Sequence, residues 1–270
     1  MRLESDAIVV DQVWSEHQIE SWERAIAERS GPSGYYHAYT IRDQGGHVIS
    51  TPGIHPTTRV LASLDRFGYP IDLTGKTVLD IGCNAGFYTF VAKLRGAASV
   101  LGVDYFQHCV DQARLIGEIL NLDVGFRQGD GEEIDLGSTS FDVVLNTGVL
   151  YHLQNPMRYL QRMAQLTRQF MFLESEMLIG RRYADYAWFI EHTYCGDGSN
   201  WWVYGPECIV KMARAAGFAR AEFQGFVWTP RFGERTQEGF PRQGRGIVHC
   251  WKDQDPQSAD HVQSSGAGRG

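Results

Sequence analysis

Paired cysteines are missing from this chain. Its five cysteines, Cys83, Cys109, Cys195, Cys208 and Cys250, are odd in number and show neither C-x-x-C nor C-x-x-H spacing. A disulfide framework and a structural zinc site are therefore not expected, and no metal ligands are assigned. Long apolar runs are missing near the N-terminus too. Glu4 and Asp6 precede only a short apolar stretch at 7–10, which resembles neither a signal peptide nor a membrane span, so a reducing cytoplasm is the expected compartment. Positive charge is in deficit: 25 Lys and Arg against 32 Asp and Glu leave a formal net charge of -7. That balance opposes broad contact with nucleic-acid phosphates. Arg181-Arg182 and the set Arg231, Arg235, Arg242 and Arg245 could form a local basic patch, although scattered arginines in glycine-rich loops more often face solvent. No internal repeat is present.

What is present is a strand that ends in an acid and runs into a glycine turn. Val78-Leu79-Asp80-Ile81-Gly82-Cys83-Asn84-Ala85-Gly86-Phe87-Tyr88 predicts a buried strand over 77–81, a tight turn, and a helix resuming at 87–94. A dinucleotide loop would read G-x-G-x-x-G. Here Asn84 stands at the middle glycine position and Asp80 lies two residues before Gly82. A carboxylate at this turn repels phosphate and welcomes an ammonium or another cation.

S-adenosylmethionine offers an ammonium and a sulfonium and has no phosphate. The segment resembles the first motif of class I S-adenosylmethionine-dependent methyltransferases, whose glycine loop holds the methionine part of the cofactor. The resemblance continues downstream. Ser99-Val100-Leu101-Gly102-Val103-Asp104 is a second strand ending in an acid, 18 residues beyond Gly86, where open α/β folds place the ribose-binding carboxylate. Asp104 is the ribose candidate, with Tyr105 beside it. The polar turn at 128–132 implies Asp130, then Gly131, near the adenine. The fourth segment, 141–153, implies a central strand ending at Asn146 and a loop with Tyr151 and His152. Asp80, Gly82, Asn84, Gly86, Asp104, Tyr105, Asp130, Gly131, Asn146 and Tyr151 are thus the expected cofactor-binding residues, for S-adenosyl-L-methionine and its product S-adenosyl-L-homocysteine.

The Asn/Asp-Pro-Pro-aromatic sequence usual in methyltransferases of nucleic-acid, protein or glutamine amino groups is absent. Gly148-Val149-Leu150-Tyr151-His152 instead resembles the loop of the tRNA wobble-uridine carboxymethyltransferase group and its small-molecule relatives. That likeness extends to Tyr35-Tyr36-His37, Thr51-Pro52-Gly53 and Asn200-Trp201-Trp202-Val203. In the tRNA group an upstream lysine, an arginine near the C-terminal end and the loop tyrosine bind the extra carboxylate of carboxy-S-adenosylmethionine. Tyr151 fits the tyrosine, yet 35–70 contains no lysine, so ordinary S-adenosylmethionine is expected.

The architecture implied is Rossmann-like α/β, with a seven-stranded, mostly parallel sheet and helices on both faces. The expected organisation is an N-terminal helical cap at 1–60, a methyltransferase domain at 61–252 with an aromatic lid insertion at 177–204, and a disordered tail at 253–270. A charged amphipathic helix is expected at 15–29, strand five at 169–174, a helix at 206–216 stopped by Gly217, and strands near 221–228 and 246–251. The insertion carries Tyr183, Tyr186, Trp188, Phe189, His192, Tyr194, Trp201 and Trp202, which suits an acceptor lid, cover for the sheet edge, or a homodimer contact.

The chemistry implied is displacement of a methyl group, for which positioning supplies much of the rate. An oxygen or protonated nitrogen acceptor also loses a proton. His152 is the leading general base and His37 the second, with Tyr151 bordering the methyl or sulfonium; His55, Glu174 and His192 could approach the same face. The expected function is O- or N-methylation of a small molecule in specialised metabolism. The alternatives are wobble-uridine modification of tRNA and a non-catalytic cofactor-binding regulatory protein.

Overall fold

The structure is a computed structural model. It describes the chain except residues 5–6, 32–33, 58–59, 61–67, 138, 195–196, 228–240 and 254–270. Arg231, Arg235, Cys195 and the expected tail from 254 onward lie outside the described residues. Two compact units divide the chain, one of Met1–Arg66 with Asp72–Asp130 and one of Phe67–Ile71 with Gly131–Gly270.

The first unit opens with β1 (Arg2–Leu3) and β2 (Ile8–Val9), followed by α1 (Glu16–Ser30). Ser15 caps α1 reciprocally: the Gln18 backbone N–H donates to Ser15 Oγ, and the Ser15 N–H donates to the Gln18 side chain at 3.0 Å. Then come β3 (Tyr35–Ala38), β4 (Thr40–Arg42), β5 (Val48–Ser50) and β6 (Gly53–Pro56). The helix expected at 15–29 is α1, and six short strands that were not expected surround it. One sheet runs β1-β2-β4-β5 and a second pairs β3 with β6. The cause is period-two burial: Tyr35 and His37 point inward while Tyr36 faces out, a pattern that a helix cannot satisfy.

The same unit continues with β7 (Thr77–Ile81), α2 (Phe87–Leu94), β8 (Ser99–Asp104), α3 (Gln107–Leu120) and β9 (Gly125–Gln128). β7, β8 and β9 are parallel neighbours in that order. Parallel strands need crossover helices, and α2 and α3 supply them. α1 packs on α3, where Gln112 Nε2 donates to the Arg29 carbonyl at 2.8 Å.

The second unit contains β10 (Phe141–Thr147), α4 (Pro156–Leu166), β11 (Thr167–Leu178), β12 (Ala187–Phe189), β13 (Trp202–Tyr204), α5 (Pro206–Ala216), β14 (Arg220–Val227) and β15 (Gln243–Trp251). β10 and β11 are parallel, whereas β15 runs antiparallel to both β11 and β14. β11 is longer than the expected 169–174 because β15 accompanies it from Phe170 to Leu178 and satisfies its backbone that far. With β15 on that edge, β10 and β13 share the other: β10 covers the strand up to Glu174 and β13 joins at Met177. The segment expected as a lid thus adds two strands to the sheet. β12 and β13 form an antiparallel pair, and Tyr183 and Trp188 pack on a cluster of Leu178, Ile190, Tyr194 and Val203.

Among the described residues no helix is long and apolar enough to cross a membrane.

Candidate functional site

In the first unit the glycine turn is built from left-handed backbone. Gly82, Asn84 and Gly86 have φ of 73, 49 and 85°, so the chain reverses between β7 and α2 within a few residues. Gly86 is also required by packing: a Cβ there would lie 2.9 Å from Phe126 Cζ and from the Phe90 ring. The Gly82 and Cys83 N–H groups both donate to the Val103 carbonyl, at 2.8 and 3.0 Å, which ties the turn to β8. Tyr39 OH donates to the Ala85 carbonyl at 2.8 Å. That brace from β3–β4 has no local sequence signal, since it joins residues 46 positions apart.

Two carboxylates close in on this turn. Asp80 is fully buried; its Oδ2 accepts from Thr89 Oγ at 2.6 Å, and its Oδ1 has no hydrogen-bond partner among the described residues. Burial pushes its pKa up to about 7, opposed by the Thr89 hydrogen bond and reinforced by the Asp104 charge. Asp104 accepts from the Asn84 N–H at 2.8 Å and the Phe106 N–H at 2.9 Å. Burial raises its pKa, and those two N–H groups restrain the rise.

Beside Asp104 lies a cavity of about 460 Å³ lined by Tyr105, Phe106, Gln107, Gln128, Gly129 and Asp130. Gly129 N–H donates to the Asp104 carbonyl at 2.9 Å, and Gln128 Nε2 to the Tyr105 carbonyl at 3.2 Å. Tyr105 and Phe106 are 63% and 56% exposed, an unusual exposure for adjoining rings and one that a flat ligand would cover. Gly131 follows in the next turn. His37 is also in this unit, buried against Phe87 and Tyr88 at ring separations of 5.0 and 5.7 Å. Burial presses its pKa down to about 3, so it stays neutral. His55 lies opposite it in β6.

In the second unit, β10 ends at Asn146 and Thr147. Asn146 is fully buried, and neither its Oδ1 nor its Nδ2 has a partner among the described residues; buried amides are seldom left so. Gly148 has φ 75°, and a Cβ there would meet the Arg245 guanidinium at 2.7 Å. A 3₁₀ turn at Leu150–His152 then presents Tyr151 and His152.

Arg245 is the residue that the sequence misplaced. Expected on a solvated surface, its side chain is only 12% exposed and pairs through Nε with the Glu174 carboxylate. Its Nη1 donates to Tyr151 OH and lies 3.9 Å from Glu176 Oε2, while the guanidinium sits 5.0 Å from the Tyr151 ring centre. The missed signal is register: Arg245 is opposite Glu176 in the β11–β15 pair, beside the Glu174–Ile247 pair. Burial raises the Glu174 pKa, and Arg245 opposes that rise.

His152 belongs to a polar chain. Its Nδ1 is 3.0 Å from Ser199 Oγ and 3.3 Å from the Ser199 carbonyl, and Ser199 Oγ donates to Asp197 Oδ1 at 2.6 Å. A carbonyl only accepts, so the network assigns the proton to Nδ1 and leaves the Nε2 lone pair outward. Burial lowers the His152 pKa, with the Ser199 carbonyl and Asp197 pulling it back up. His192 is exposed beside Glu191 at 4.0 Å. Among the described residues no group of three or more His, Cys, Asp or Glu is placed to hold a metal.

Comparison with known proteins agrees with this geometry. Residues 79–170 match a methyltransferase domain family. The chain is 30% identical over 207 residues to a tRNA U34 carboxymethyltransferase of Desulfotalea psychrophila, covering 67% of this chain and 63% of that protein. It is 28% identical over 182 residues to a ubiquinone biosynthesis O-methyltransferase of Roseobacter denitrificans, covering 64% and 73%. It therefore spans less than two thirds of the length of the tRNA-modifying relative. Among solved structures, the N-terminal domain of EvdMO1 with SAH bound superposes at a TM-score of 0.61 with 16% identity, over 88% of this chain and 99% of that one. The [4+2]-cyclase SpnF superposes at 0.57 with 16% identity, over 90% and 98%. In the domain matched at 79–170, in fold and in its acid-flanked glycine turn, this chain resembles the class I S-adenosylmethionine-dependent methyltransferases.

Proposed function

We propose that this protein methylates an oxygen or nitrogen of a small molecule, using S-adenosylmethionine held at the glycine turn. The observation that carries the reading is the turn itself: left-handed backbone at Gly82, Asn84 and Gly86, with the buried, unpartnered Asp80 Oδ1 beside it. A buried carboxylate oxygen without a donor suits a ligand ammonium, which supplies both hydrogen bond and charge. Asp104 suits ribose hydroxyls, since each of its oxygens keeps a lone pair after accepting its backbone N–H. The open rings of Tyr105 and Phe106, with Gln128, Gly129 and Asp130, suit a flat base. When bound, S-adenosylmethionine supplies a methyl group already activated by its sulfonium.

The chain's own work is to orient the acceptor and take its proton. His152 fits the base: it is neutral near pH 7, and Ser199 and Asp197 hold its proton on Nδ1. Arg245 donates to Tyr151 OH and fixes the orientation of that ring beside His152. His37 serves better as an apolar wall than as a base, because a group titrating at about 3 takes protons poorly at neutral pH.

Wobble-uridine modification of tRNA is the second reading, supported by the 30% identity to a tRNA U34 carboxymethyltransferase. Arg245 bonded to Tyr151 fits the arginine and tyrosine of that group, but Glu174 and Glu176 already compensate its charge, which disfavours a further carboxylate. The net charge of -7 also weighs against a polyanionic substrate. Incubating the protein with S-adenosylmethionine and separate panels of phenols, amines and purified tRNA tests the choice. S-adenosylhomocysteine release with a small acceptor supports the first reading. Modification of tRNA alone replaces it with the second, and cofactor binding without turnover on any acceptor favours a regulatory protein.

A further inference from the structure

Beyond the carboxyl end of β11, the second unit holds a cavity of about 730 Å³ that the reading above does not use. It is lined by Ile179, Gly180, Arg181, Arg182, Tyr183, Trp188, Pro241 and Arg242. Its size lies within the range of small-ligand sites. Among the described residues its lining is one-sided in charge: three arginines, two aromatic rings, no acid. In a chain with a net charge of -7 such a concentration is not a composition effect.

Structural roles do not consume these cations. No ion pair of Arg181, Arg182 or Arg242 is formed among the described residues, and Asp185, the acid nearest Arg181 and Arg182 in sequence, is taken by Lys211 at 2.6 Å. Their backbone is nevertheless fixed. Ile179 N–H donates to the Arg242 carbonyl at 2.7 Å, and a 3₁₀ turn at Arg181–Tyr183 is closed by the Tyr183 N–H on the Gly180 carbonyl at 2.9 Å. The Arg182 guanidinium lies 4.5 Å from the Tyr183 ring centre. Behind the cavity, Tyr183 and Trp188 pack on the Leu178, Ile190, Tyr194 and Val203 cluster, so the aromatic wall is anchored.

We propose that this cavity binds a small anionic molecule with a planar ring, the arginines holding a carboxylate or phosphate and Tyr183 and Trp188 flanking the ring. Guanidinium forks match both anions bidentately, and aromatic faces accept a flat ring. Ligands of open α/β sheets bind beyond the carboxyl ends of the strands. Identifying this ligand with the methyl acceptor rests on the methyl-transfer reading; the binding itself does not.

The test is calorimetric titration of the full chain with phenyl phosphate, benzoate, uncharged benzamide and a single-stranded RNA oligonucleotide, in parallel with S-adenosylhomocysteine. Phenyl phosphate or benzoate should bind with a dissociation constant of about 1 mM or tighter, and the tighter of the two names the anionic group. Arg182→Ala and Arg242→Ala should each weaken that binding about tenfold, raised salt should weaken it further, and benzamide should not bind. S-adenosylhomocysteine affinity should stay unchanged in both variants, which also shows that they are folded. Absent anion binding, or anion binding indifferent to both substitutions, overturns the proposal. RNA binding through the same arginines, at least tenfold tighter than either small anion, overturns the small-molecule assignment. Failure of S-adenosylhomocysteine to bind the unaltered chain strikes the methyl-transfer reading and the acceptor identification, and leaves the anion site standing.

Discussion

Replacing Asp80 by Asn separates the stability of this fold from its cofactor chemistry. In the free protein burial raises the Asp80 pKa from 3.8 to about 7, so the folded state holds this proton more tightly than the unfolded chain does. The sign follows from proton counts. Between about pH 4 and 7 the folded state binds more protons, and stability therefore falls as pH rises through that window and levels off above it. With 1.36 kcal/mol per pKa unit, the total penalty reaches about 4 kcal/mol, of which about 2–3 kcal/mol accumulates between pH 5 and pH 8. Asp80→Asn removes that slope. The amide oxygen can still accept from Thr89 Oγ, while its NH₂ lacks a partner and returns about 1–3 kcal/mol of cost. The stability of the variant relative to the unaltered protein, measured by urea denaturation, should thus improve by about 2–3 kcal/mol from pH 5 to pH 8. A cation seated at the carboxylate reverses the shift, so cofactor binding at pH 7 should release a fraction of a proton, seen as calorimetric enthalpies that differ between buffers. Asp80→Asn should abolish the release and weaken binding about tenfold or more. Equal pH slopes for the two proteins, together with equal affinities, would refute the assignment of Asp80.

Gly86→Ala forces a side chain into left-handed backbone, 2.9 Å from Phe126 and Phe90, and should cost about 2–4 kcal/mol in chemical denaturation along with cofactor affinity. Unchanged stability would show the turn to be more pliable. Arg245→Met strips Glu174 of its buried cation and should lower the melting temperature by roughly 10 °C; a protein that melts at the same temperature would show that the pair contributes nothing net. His152→Ala should reduce turnover about 10²–10⁴-fold with cofactor affinity within twofold. Asp197 raises the His152 pKa, so Asp197→Asn should move the acid limb of the kcat/KM profile to lower pH, whereas a limb that does not move removes His152 from that role.

Local periodicity and turn chemistry made much of the fold readable. β7, α2, β8 and α5 fall at the boundaries expected from an apolar run stopped by Gly82, a helix opened after Gly86, a run ending at Asp104, and a helix from Pro206 to Gly217. These signals lie within a few residues of what they specify. The N-terminal segment was harder because its strands are only two to four residues long, too short to show a period. The strands of the aromatic insertion are equally hidden, since nothing within 177–204 announces that Trp202–Tyr204 will continue alongside β11 after β10 ends. Candidate site residues followed the same rule. Asp80, Asp104 and Tyr151 stood out by position within motifs, whereas Arg245, Glu174 and Tyr39 owe their places to strand register and to contacts across 46 or more positions.

The most direct measurement is a calorimetric titration of the full chain and its Asp104→Ala variant with S-adenosylhomocysteine. Asp104 is held by the Asn84 and Phe106 N–H groups at the edge of the Tyr105–Phe106 cavity. S-adenosylhomocysteine should bind at one site per chain with micromolar affinity, weakened at least about tenfold in the variant, which corresponds to about 1.4 kcal/mol or more. No binding by the unaltered protein, or equal binding by the two, would contradict it.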